Sequence, residues 1–187
     1  PMSFAPMIRV WFAPCIFLTP AARLAAGSGW ESEMVRGVFC FGNPLHGDDG
    51  VGPRIAERLR QGYLPVDVRV VDAGSDGLAL TTLLADCAAA VLVDAERSSG
   101  PAGQIAVLRL DPAQWPEPDP RCSHSADLGF ALCAAHVESG DLPPIHLVTV
   151  TVSDFTPFRI GLSPVVARAV PLAVAAIARL LGWSELT

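Results

Sequence analysis

The chain has 187 residues, long enough to bury one substantial core and short for two. Hydrophobic residues make up 51% and charged residues 17%, with a mean hydropathy of +0.40, which excludes disorder over most of its length. Acidic residues outnumber basic ones, 19 to 13, for a net charge of −6, and no Lys/Arg cluster occurs, so a nucleic-acid reader is excluded too.

Taken in order, residues 7–26 are apolar, in outline like a signal peptide, but prolines at 14 and 20 break the run too much for a membrane helix. Residues 1–33 are read as an extension outside the fold, with a single α/β domain over 34–187. Residues 35–41 form a compact apolar run ending at Gly42 and predict a buried strand. Residues 50–60 follow as a helix with Val51, Ile55 and Leu59 on one face. Residues 66–71 predict a second strand, 78–87 a helix, and 88–93 a third, fully buried strand. Residues 103–110 predict a fourth strand, with an antiparallel placement left open. A Pro-rich loop over 111–121 leads to His124 and a helix ending near Glu138. Residues 145–153 alternate as a strand, and Ser163 with Pro164 opens a last helix running to Leu181. This alternation predicts a three-layer αβα domain on a mostly parallel twisted sheet. Five scattered cysteines (Cys15, Cys40, Cys87, Cys122, Cys133) with no C-x-x-C pair give no disulfide framework or zinc knuckle. They are read as small buried hydrophobes.

Ligands of an open parallel sheet bind beyond the carboxyl ends of its strands. Each of the first three exits carries a carboxylate: GNPLHGDDGVG at 42–52, DAGSDG at 72–77 and DAE at 94–96. The first loop matches neither the dinucleotide nor the phosphate-loop spacing, and Asp48 and Asp49 would repel a phosphate at the helix start. A cation suits the place better. Asp49 and Asp94, joined by His124 from a later loop, would make an open oxygen/nitrogen site for a divalent transition ion. The residues leave a second reading open. Ser75, Asp94 and His124 run in the chain order of an α/β-hydrolase triad, although AGSDG is one residue short of the nucleophile-elbow motif. A third reading, a non-catalytic metal-recognition assembly factor, keeps the same site without turnover.

In order and spacing these segments, with LVDA at 92–95, SHSADLG at 123–129 and FRIGLSP at 158–164, resemble the nickel–iron hydrogenase maturation endopeptidases. The resemblance covers residues 35–183. It implies a cytoplasmic, monomeric, aspartic-type peptidase that removes the C-terminal extension of the hydrogenase large-subunit precursor after nickel insertion. It further implies that Asp49, Asp94 and His124 bind nickel and serve catalysis, the nickel being carried by the precursor. Ala73 stands where relatives more usually have glycine, and Ser75 where they have threonine. The remaining polar residues have plainer readings. His46 is a solvated loop histidine, Asp48 a cap of the following helix, and Asp72 a turn-ordering or supporting group. His136 and His146 are packing or surface residues, and Asn43 bonds either the loop backbone or an incoming peptide.

Overall fold

The computed structural model describes residues 35–111 and 128–183. The 1–33 segment, the Pro-rich loop and His124 lie outside the described residues. Among the described residues the α-helices and strands run in the order β1 (Val35–Phe41), α1 (Val51–Arg60), β2 (Val68–Gly74), α2 (Leu80–Leu83), β3 (Cys87–Glu96), β4 (Ile105–Leu110), α3 (Leu128–Ser139), β5 (Ile145–Thr151) and α4 (Pro164–Leu180). The sheet has strand order β2-β1-β3-β5-β4, all parallel except the β4–β5 pair. The expected mostly parallel sheet with one antiparallel strand is therefore present.

Side chains alternate across a strand, so β1 feeds two cores at once. Val38 and Cys40 face α1 and α4, where they meet Val51, Ile55, Leu59, Val166 and Ile177. Phe39 and Phe41 face the opposite layer with Leu80, Leu84, Ala131 and Ala135. β3 does the same with Val91 and Val93 against Ala90 and Leu92. Helices on both faces explain why these strands read as near-continuous apolar runs. Burial pushes the Cys40 thiol well above its ordinary value, as the buried-hydrophobe reading of the cysteines requires. Ile177 is fully buried, and Ile177→Ala is expected to lower stability by about 3 kcal/mol, or ~6–12 °C in Tm by calorimetry.

The largest differences from the predicted bounds are in the second strand, the 78–87 helix and β3, which runs Cys87–Glu96 where 88–93 is expected. The second strand begins later and runs further, Val68–Gly74, because Cys40 and Phe41 pair with Asp72 and Gly74. The helix expected over 78–87 shrinks to a 3-10 turn at Gly77–Ala79 and one turn of α2. Cys87 and Ala89 are drawn into β3 by pairing with Val35 and Arg36. No helix among the described residues is long and apolar enough to cross a membrane.

Candidate active site

The connection from β1 goes to β2 on one side, while β3 lies on the other. The β1/β3 junction is thus the switch point where an open α/β sheet leaves a crevice. A crevice of about 180 Å³ is found there, lined by Phe41, Gly42, Asp49, Ser75, Asp94 and Leu128 among others. The structure therefore brings Asp49 and Asp94 to one rim.

Asp49 arrives on a 3-10 turn, Gly47–Gly50, between β1 and α1. Its Oδ2 accepts the Asn43 N–H at 2.8 Å, and Asn43 Oδ1 accepts the Leu45 N–H at 2.9 Å. Asn43 therefore orders the loop by bonding its backbone. Two glycines let the turn lie so close. A Cβ on Gly42, whose φ is +132°, would sit 2.0 Å from the Asp49 carbonyl oxygen. A Cβ on Gly52 would sit 1.9 Å from that of Phe41.

Asp94 comes from β3 itself, one strand over. Burial pushes its carboxyl up to about 6, against the Ala95 N–H bonded to Oδ1 at 2.8 Å. The charges of Asp49 and Glu96 raise it further. A carboxylate pair held in a partly dry crevice repels itself, and a cation relieves both the repulsion and the burial. Among the described residues no group of three His, Cys, Asp or Glu side chains is arranged to hold a metal ion.

Ser75 lines the same crevice and is exposed, and its hydroxyl makes no hydrogen bond among the described residues. A short 3-10 turn and the four residues of α2 follow it, not the long helix that follows a nucleophile elbow. Asp76 caps that turn, accepting the Leu78 N–H at 3.1 Å. Asp72 orders its own turn through the Gly74 N–H at 3.1 Å.

Sequence reasoning misplaced Asp48 and missed Glu96. Asp48 does not cap α1, whose N-cap is Gly50 with no side-chain bond. It is instead fully buried, with Oδ1 accepting the Ser163 N–H at 2.6 Å. No local pattern reveals a bond across so much chain. Glu96 stands two residues beyond Asp94, on the same face of β3, and takes the Thr149 hydroxyl at 2.9 Å. The D-x-E alternation was its signal. His46 pairs through its backbone with Arg159, while His146 lies in β5 with its pKa lowered by burial and by Arg109. A larger groove of about 560 Å³ lies across the 44–50 turn, lined by Arg54, Glu57, Arg60, Asp72 and Ile160 among others. Its charges are already engaged: Arg54 with Glu57, Arg60 with the Val70 carbonyl, Asp72 with its own turn.

The described residues thus form a three-layer α/β domain with an acidic pair at its switch point. The family model described as hydrogenase maturation protease matches residues 53–180, and the chain belongs to that family. The hydrogenase expression/formation protein HupD of Rhodobacter capsulatus is 34% identical over 82 residues, 43% of this chain and 38% of HupD. The match thus spans well under half of that relative's length. The hydrogenase maturating endopeptidase HybD from E. coli superposes with a TM-score of 0.70 at 28% identity, covering 80% of this chain and 93% of HybD. An endopeptidase from Escherichia coli solved in solution gives 0.68 at 29% identity, covering 81% and 96%.

Proposed function

We propose that this chain is an endopeptidase that removes the C-terminal extension of a nickel-loaded nickel–iron hydrogenase large-subunit precursor, with residues 34–187 as the peptidase domain. It acts in the cytoplasm as a monomer. The observation that carries the reading is the Asp49/Asp94 pair facing one crevice, with Asp94 pushed up to about 6. Such a pair is poised to accept a cation presented by the substrate. His124 is the third group. Leu128, four residues further along the chain, lines the crevice.

Nickel in the precursor is recognised first, and Asp49, Asp94 and His124 test whether it is loaded. Hydrolysis then adds water across the scissile bond, its hydroxyl to the carbonyl carbon and a proton to the leaving amine. An acidic side chain of the crevice takes the proton from water and returns it to the amine, the aspartic-type part of the reading. A cation near the carbonyl stabilises the developing negative charge.

Incubation of the purified chain with loaded and nickel-free precursor, with products weighed by mass spectrometry, tests this. A truncated large subunit is expected from the loaded form only. Asp49→Asn should slow its formation by about a hundredfold or more, and Ser75→Ala by less than about threefold. Equal processing of nickel-free precursor would refute recognition. Loss of activity in Ser75→Ala would install the serine-hydrolase reading, and intact binding with no product the assembly-factor reading.

A further inference from the structure

The Gly47–Gly50 turn carries two aspartates, and Asp49 is the one that lines the crevice. Asp48 is fully buried, and its Oδ1 accepts the Ser163 N–H at 2.6 Å across 115 residues of sequence. Its Oδ2 is buried as well, without a hydrogen-bond partner among the described residues. A carboxylate so placed is an unfavourable way to pin a turn, since a neutral side chain avoids the desolvation. The N-cap position of the 17-residue helix α4 offsets this, because its backbone donors and dipole favour a negative group.

Backbone bonds also tie the turn to the segment before α4. Gly47 N–H donates to the Arg159 carbonyl at 2.8 Å and Asp48 N–H to that of Asp154 at 2.9 Å. These fix where the turn lies; the Asp48 side chain fixes how it is rotated. Successive side chains of a 3-10 turn point about 120° apart, so seating residue 48 inward sends residue 49 outward.

We propose that Asp48 is a positioning residue: its carboxylate, seated on the N-cap N–H of α4, sets the rotation that aims Asp49 into the crevice with Asp94. The inference rests on the reading of Asp49 given above, and its test has a readout independent of that reading. The Asn43 N–H bonds Asp49 Oδ2 at 2.8 Å, so the Asn43 amide resonance reports where the Asp49 carboxylate is.

Asp48→Ala, Asp48→Asn and Asp49→Ala are compared by amide NMR and hydrogen exchange in the full chain. In Asp48→Ala the Asn43 resonance should move to its position in Asp49→Ala and exchange faster. Asp48→Asn, which keeps an acceptor for Ser163, should stay near the wild-type position. On nickel-loaded precursor, Asp48→Ala should lower kcat by about ten- to a hundredfold with KM within about threefold, and Asp48→Asn should recover most of that loss. An Asn43 resonance unmoved in Asp48→Ala overturns the proposal. A moved resonance with unchanged processing upholds Asp48 as the anchor and sinks the part given to Asp49. Should Asp48→Ala not fold, Ser163→Pro removes the donor instead. Ser163 has φ −60° and ψ 152°, which proline tolerates; its hydroxyl also accepts the Val166 N–H at 3.4 Å, so Ser163→Ala is run beside it to account for that lost cap, and the same two outcomes apply relative to Ser163→Ala.

Discussion

Asp94→Asn should yield a protein that melts higher than wild type at pH 7.5 and processes nothing. The stability gain follows from the carboxyl's elevation from 3.8 to about 6 by burial. Between those values the folded state binds the proton more tightly than the unfolded one, so stability declines as pH rises. Above about 6 the whole penalty is present, and a neutral amide removes it. The substituted side chain would keep an oxygen for the Ala95 N–H, so the strand end has no reason to rearrange. The gain at pH 7.5 is about 3 kcal/mol, or ~6–12 °C in Tm. The two melting curves should converge as pH falls below 3.8, where the wild-type group is protonated in both states. Processing of loaded precursor should fall by about a hundredfold or more, because the amide carries no charge for a cation. A variant no more stable than wild type at pH 7.5 would show that Asp94 is not held at a cost.

Gly42→Ala should damage fold and site together. At φ +132° an L side chain is strained, and its Cβ would overlap the Asp49 carbonyl oxygen at 2.0 Å. That neighbour is backbone, so the turn itself must shift. The combined strain and overpacking should cost about 3–4 kcal/mol, or ~6–15 °C in Tm. Because the displaced atom belongs to Asp49, processing should drop by about a hundredfold even well below the melting temperature. Thermal denaturation by circular dichroism and a processing assay in the cold separate the two effects. Retained activity in a destabilised variant would mean that the position of this turn does not matter to the reaction.

The sheet and its crevice were readable because strands buried on both faces carry an unmistakable apolar signature. Residues 35–41 fall where the pattern places them, and the fourth strand ends at Leu110 as expected while starting two residues later, at Ile105. The placement of Asp49 and Asp94 was legible from the rule that the crevice of an open sheet lies beyond its strand ends, and both line it. What failed was governed by tertiary pairing. Asp72 and Gly74 are poor strand formers, yet pairing with Cys40 and Phe41 enrols them in β2. Cys87, expected to end a helix, instead pairs with Val35 and opens β3. Val66, expected at the head of a strand, is 97% exposed instead. The job of Asp48 was out of reach for the same reason, its partner lying 115 residues away.

That long-range bond has a consequence for how competence arises during synthesis. A ribosome that has released the chain through β3 has already delivered both crevice aspartates, and the sheet centre can begin to form. The support for the Asp49 turn, however, comes from the segment before α4 and from the first residues of that helix. A chain made only that far therefore holds both aspartates without the bonds that tie down the Asp49 turn. Support for the Asp49 turn is therefore completed late, when α4 docks.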